Sequence, residues 1–220
     1  MCEISTSILT VKKEEAIKTF YNLEVAKTDY FHIDVMDGLF VENNNLVLMK
    51  DYALSLKHIT TLPLDIHLMV EDVKTCIDEF IELEPHTITF HAEAIKSKEE
   101  RLEIINTIKQ NNIKVGIAIN PKTKIEDIYD LLPYVHTVLV MTVEPGKGGQ
   151  KLISETLLKI KELAKYIEEN NLSIDIEADG GINIENIKSV KDAGANIIVV
   201  GTYIINSENY AECIKKLKED

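Results

Sequence analysis

No apolar run in this 220-residue chain approaches the length of a bilayer span, so a transmembrane protein is not expected. The opening residues, MCEISTSILTVKKEE, lack a basic start, an apolar stretch and a small-residue cleavage site, and a soluble cytoplasmic protein is expected. Cysteine is scarce. Cys2, Cys76 and Cys213 are odd in number, far apart and without a CxxC pair, which points to a reducing compartment rather than a disulfide or cysteine–zinc framework. Basic charge is short too: 24 Lys and Arg stand against 37 Asp and Glu, a net charge of −13, which argues against nucleic acid or anionic membranes as partners. A phosphorylated small molecule remains compatible, because backbone N–H groups at a helix N-terminus bind one phosphate whatever the total charge. Also missing are any linker, low-complexity tract or composition shift, and any GxGxxG turn after the first strand of the kind an open dinucleotide-binding sheet requires.

What is present is an ordinary globular composition, 45% hydrophobic and 28% charged, with room for one sizeable core. Short β-branched segments recur along it: EISTSIL, YFHIDVM, PLDIHLM, HTITFH, KVGIAIN, TVLVMTV, SIDIEAD and NIIVVGT. Between them lie charged stretches with helical spacing, such as DVKTCIDEFIELE, KEERLEIINTIKQNN, ISETLLKIKELAKYIEENN and NIENIKSVKDAG. Strand alternating with helix implies parallel pairing, and eight such units in this length predict an α/β fold, a (β/α)8 TIM barrel forming a single domain over residues 1–220.

Polar residues break the strands in a pattern. In YFHIDVM, Phe31, Ile33 and Val35 share one face while His32, Asp34 and Met36 share the other. PLDIHLM sets Asp65, His67 and Met69 opposite Leu64, Ile66 and Leu68, and SIDIEAD sets Asp175, Glu177 and Asp179 opposite Ile174, Ile176 and Ala178. A lone His or Asp at a strand end is ordinarily a satisfied structural group, but four at matching ends of three strands form a set. His32, Asp34, His67 and Asp179 are candidate ligands for one divalent metal, a mixed imidazole and carboxylate set that suits zinc, iron, manganese or cobalt. Met36, Met69 and Met141 end predicted strands at the same mouth and form a candidate collar shielding a charged intermediate from water. The glycines cluster late, in EPGKGGQ, DGGIN and VVGT, directly after the sixth, seventh and eighth strands, where barrels of this class place a phosphate site.

These residues carry a family resemblance. The segments SIL, HIDVMDG, DIHLM, HAEA, NPKT, MTVEPGKGGQ, ADGGIN and VVGT, in this order and over nearly the whole chain, resemble those of ribulose-phosphate 3-epimerases. The resemblance implies a barrel of the ribulose-phosphate-binding type that interconverts D-ribulose 5-phosphate and D-xylulose 5-phosphate with one divalent metal ion. It further implies that His32, Asp34, His67 and Asp179 are the ligands, that Asp34 accepts the proton and that Asp179 donates it. By the same resemblance Ser7 and His67 are substrate contacts, and Gly146, Lys147, Gly148, Gly149, Gly180, Gly181, Gly201 and Thr202, with Asp179, belong to the substrate- and phosphate-binding segments. A homo-oligomer, dimeric or higher, is expected, although the helix faces show no decisive apolar patch. The chain departs from the family pattern in three places: Thr6 stands where Pro is usual, Glu42 where FVPN would put Pro, and Lys147 where PGFGGQ would put Phe. Lys147 either adds a cation near the phosphate or faces solvent, and His91 and Glu93 of HAEA either support a ligand or make a structural hydrogen bond. A sister group acting on allulose 6-phosphate shares the metal and the aspartates and is the alternative. A non-catalytic phosphate-binding barrel would need the glycine loops but not both aspartates.

Overall fold

A computed structural model describes residues 2–219. The alternating segments resolve into eight strands: β1 (Glu3–Ser7), β2 (Tyr30–Met36), β3 (Leu64–Met69), β4 (Thr87–His91), β5 (Lys114–Ile119), β6 (Thr137–Met141), β7 (Asp175–Asp179) and β8 (Ile197–Val199). Neighbours pair in parallel, and β8 returns to β1 with Val199 opposite Ser5, so the sheet closes in chain order. A closed sheet leaves no edge strand, and the (β/α)8 barrel expected from the strand–helix repeat is the fold observed.

Each strand sends its side chains to two different surroundings. The outward faces, such as Phe31, Ile33 and Val35 on β2 or Val138 and Val140 on β6, are wholly buried in one continuous apolar core beneath the helices. Each such side chain contributes roughly 1.5–3 kcal/mol. The inward faces differ from the branched aliphatic layers that usually fill such barrels. Ser5, His32, Asp65, Thr89, Thr137 and Glu177 are all buried there. Burying polar groups is costly unless they are hydrogen-bonded, and part of this interior is: Ser5 Oγ donates to Asp65 Oδ2 at 3.0 Å, and His32 Nδ1 lies 2.7 Å from the same oxygen, whereas Thr89 Oγ1 and Glu177 Oε1 are buried without a hydrogen-bond partner.

The helices are α1 (Ala16–Val25), α2 (Leu46–Ile59), α3 (Val73–Ile81), α4 (Lys98–Gln110), α5 (Thr156–Glu169), α6 (Ile187–Ala193), α7 (Thr202–Ile205) and α8 (Tyr210–Glu219). Local chemistry marks their ends. Asp72 and Ser97 accept from the backbone N–H groups of Thr75 and Glu100 at 3.1 and 3.2 Å, capping α3 and α4. Gly194 closes α6 at φ 116°, the left-handed conformation that a residue with a Cβ rarely adopts. The repeat is uneven: β5 is followed by two 3-10 segments, Ile125–Ile128 and Leu132–Tyr134, and β8 by both α7 and α8. Pro133, which cannot donate a helical hydrogen bond, lies in the first turn of the second 3-10 segment, where no such bond is needed. On α1, Ile17, Tyr21 and Val25 are exposed at four-residue spacing, an apolar stripe that was not expected from the sequence. No helix among the described residues is long and apolar enough to cross a membrane.

Thr6, one of the three departures from the resembled pattern, is wholly buried beside Thr28, their hydroxyl oxygens 2.6 Å apart. Thr28 also donates to Ile4 O or Tyr30 O, at 3.1 and 3.0 Å. Thr28→Val therefore strands the Thr6 hydroxyl, with an expected loss of about 1–3 kcal/mol. Thermal unfolding of Thr28→Val and of the double variant with Thr6→Val checks this: the double variant should lose less than the sum of the two singles.

Candidate active site

The register places Asp34 on β2 opposite His67 on β3, and closure of the barrel brings Asp179, at the end of β7, to the same spot. His32 lies one inward position below Asp34. One ligand atom from each of these four buried residues lies within 4.8 Å of the others. His32 Nε2 is 3.3 Å from Asp34 Oδ1 and 3.8 Å from Asp179 Oδ2, and His67 Nδ1 is 3.2 and 3.5 Å from the same two oxygens. His32 Nε2 is fully buried without a hydrogen-bond partner. A buried polar atom left unpaired requires an explanation. A cation among two imidazole nitrogens and two carboxylate oxygens supplies one, so the residues fit a divalent metal.

The carboxylates of the cluster favour the protonated form of its imidazoles. Burial disfavours charge on His67, but hydrogen bonds and charge from Asp179 and Asp34 outweigh it and raise its pKa to about 9. His32 is likewise raised well above its ordinary value, against its burial, by Asp34 and Asp65. Asp34 is buried too, yet the charges and hydrogen bonds of His32 and His67 hold it well below the usual carboxylate range.

Each member of the set is braced from behind. His32 Nδ1 faces Asp65 and, at 3.5 Å, Glu177, whose pKa is pushed up to about 8 by burial and by the neighbouring charge of Asp65. Ser7, expected as a substrate contact, donates its hydroxyl to Asp34 Oδ2 at 2.7 Å. Asn45 brackets the end of β2, accepting from Met36 N at 2.8 Å and donating to Asp34 O at 2.9 Å. Thr142 does the same for β7: its N–H donates to Asp179 O at 2.7 Å and its hydroxyl to Gly180 O at 2.6 Å. Asn45 carried no signal in the sequence, sitting in a run of asparagines. Asp65 and Glu177 shared the alternation of His67 and Asp179 and could have been picked out by it.

Above the cluster opens a cavity of about 760 Å³ with Asp34 and Asp179 in its lining. Met36, Met69 and Met141 line it as well; Met36 pairs with Met69 and Met141 with Asp179 across adjacent strands. All the glycines singled out in the sequence reach the same cavity. Gly180 and Gly181 turn the chain with φ of 124° and 68°, and a Cβ on Gly181 would stand 2.8 Å from Gln150 O, so this turn requires glycine. Gly201 packs on Ser7, and Thr202 Oγ1 lies 3.5 Å from where a Cβ of Gly148 would be. Lys147 has its ammonium group exposed and 3.8 Å from Glu42 Oε2, so the two loop departures face each other across the mouth. Asn43 Nδ2 donates to Gly146 O at 2.7 Å and joins the same two loops directly.

Fold and site together define a (β/α)8-barrel enzyme with a candidate metal centre and glycine-rich loops at the C-terminal ends of its strands. The model of the ribulose-phosphate 3-epimerase family matches residues 3–205. Ribulose-phosphate 3-epimerase of Methanocaldococcus jannaschii is 39% identical over 219 residues, covering 100% of this chain and 91% of that protein. The chloroplastic ribulose-5-phosphate-3-epimerase of Arabidopsis thaliana is 36% identical, covering 98% and 75% respectively. Among solved structures, 3-hexulose-6-phosphate synthase from Salmonella typhimurium superposes with a TM-score of 0.72 at 12% identity, over 99% of this chain and 97% of that one, a likeness of fold. This chain belongs to the ribulose-phosphate 3-epimerase family and is an isomerase.

Proposed function

We propose that the chain interconverts D-ribulose 5-phosphate and D-xylulose 5-phosphate by inverting C3. The observation that carries the reading is the pair Asp34 and Asp179: two carboxylates from distant strands, with oxygens within 4.8 Å of each other, in the lining of a cavity that also holds the glycine loops. Inversion next to a ketone needs a proton removed from one face of the carbon and another returned to the opposite face. In the direction from ribulose to xylulose, Asp34 takes the C3 proton and Asp179 returns one to the enediolate; in reverse they exchange roles. Asp34 is held at the floor of the cavity, its Oδ1 beside His32 and His67. Ser7 fixes its second oxygen, and Asn45 fixes its backbone.

His32 through Nε2, His67 through Nδ1, Asp34 and Asp179 would hold one divalent ion, of zinc, iron, manganese or cobalt. When bound, such an ion acidifies the C3 hydrogen and balances the negative charge that develops on the substrate oxygens. Met36, Met69 and Met141 present a soft apolar surface that excludes water from that charge. Backbone N–H groups of the Gly146–Gly149, Gly180–Gly181 and Gly201–Thr202 segments hold the phosphate, and binding this remote group orients the reacting carbon.

Turnover of D-ribulose 5-phosphate and D-allulose 6-phosphate, measured side by side on chelator-treated protein with single metals restored, tests the reading. Metal-dependent turnover favouring the pentose is expected. A preference for the hexose moves the chain to the sister activity with the same two aspartates, and no turnover of either by folded, metal-bound protein removes the proposal.

A further inference from the structure

His32 meets the candidate metal position through Nε2, but His67 meets it through Nδ1. The outer nitrogen of His67, Nε2, lies 2.9 Å from Nε2 of His91, and both rings are wholly buried. Two ring nitrogens form a hydrogen bond only when one carries hydrogen and the other does not. The next group settles which. His91 Nδ1 is 3.2 Å from Glu93 Oε2, while Glu93 Oε1 accepts from Asn120 N at 2.8 Å and from the Thr123 hydroxyl. An ionised carboxylate only accepts, so Nδ1 of His91 carries hydrogen, its Nε2 accepts, and Nε2 of His67 donates. With Nε2 of His67 holding its hydrogen, the proton His67 gives up when it ligates is the one on Nδ1, which frees that lone pair on the side of Asp34 and Asp179.

We propose that His91 and Glu93 are positioning residues, a hydrogen-bonded chain that selects the form of His67 able to offer Nδ1 to a divalent cation. The inference rests on the metal set of the proposed function and adds the groups that prepare one ligand. The chain has a rigid anchor. Glu93 is tied to the loop after β5, and Lys159 Nζ on α5 donates to Asn120 O and Pro121 O of that loop, both at 2.8 Å. Phe40 covers His91, with ring centroids 4.9 Å apart. The direct counterpart on His32 is Asp65, one residue in place of two.

Glu93→Gln is the sharp test, because the Asn120 N–H and the Thr123 hydroxyl require the amide oxygen on their side. The amide N–H then faces His91 Nδ1, and every hydrogen in the chain reverses: His91 Nε2 donates, His67 Nε2 accepts, and His67 Nδ1 carries the hydrogen. Zinc affinity of the full chain, measured by competition with a chromophoric chelator, should fall about 10–100-fold while circular dichroism is unchanged. His91→Gln, able to accept from His67 and donate to Glu93, should retain more affinity than His91→Leu. Nitrogen-15 NMR of the zinc-loaded, unsubstituted chain should place hydrogen on Nε2 of His67 and on Nδ1 of His91. The opposite assignment, or zinc binding by Glu93→Gln as tight as that of the unsubstituted chain, overturns the proposal. His67→Ala separates the two levels: undiminished zinc binding there removes the metal set itself, whereas a loss there with none in Glu93→Gln removes only the positioning chain.

Discussion

Asp34→Asn and Asp179→Asn are each expected to lower kcat by about 10²–10⁴-fold, the usual contribution of a positioned acid or base, with the barrel intact by circular dichroism. Asparagine keeps the size of the side chain and an oxygen for a cation, but it neither takes up nor delivers the proton. The two variants should also differ from one another in deuterated water. Asp179→Asn retains Asp34, so the C3 hydrogen of D-ribulose 5-phosphate should exchange with solvent without inversion. In Asp34→Asn the exchange should pass to D-xylulose 5-phosphate. Undiminished turnover in either variant, with metal bound, would falsify the acid–base assignment.

Zinc affinity should climb with pH, by up to about a hundredfold per unit near neutrality. The sign follows from the metal-free cluster. His67 has its pKa raised to about 9, and His32 is raised well above its ordinary value. Below those values each nitrogen must lose a proton before it can ligate, so two protons leave for each ion that enters, and the gain levels off once both imidazoles are neutral. Chelator competition across pH 6 to 9, with proton release followed by calorimetry in buffers of different ionisation enthalpy, measures both quantities. A flat affinity across that range would show that the imidazoles are already neutral without metal.

The strands were legible because this barrel has a polar interior. A barrel filled with aliphatic side chains gives strands that are apolar on both faces, whereas here His32, Asp34, His67 and Asp179 made the two-residue period visible and marked the site at the same time. Helix α2 was less visible: its core residues Met49, Tyr52, Ala53 and Leu56 are the buried part of a segment with further apolar residues on other faces, including exposed Val47 and Leu54. In the fifth unit two 3-10 segments stand in place of an α-helix, and Pro133 would break any α-helix running through both. What no single segment could display was pairing across the fold. The Glu42–Lys147 contact, the Asn45 bracket and the direction of the His67–His91 bond each depend on which loops and rings the closed sheet brings together.

The polar interior also divides labour within the chain. Cohesion comes from the outer shell, where the strands meet the helices, because the inner column from Ser5, Asp65 and Glu177 up to Asp34 and Asp179 spends its hydrogen bonds on neutralising its own burial. Aliphatic side chains of matching volume in that column would yield a sturdier cylinder with nothing to offer a substrate. The reactive centre is thus the part of the molecule that the fold carries rather than the part that carries the fold, and the outer shell sets how much such cargo the barrel can bear.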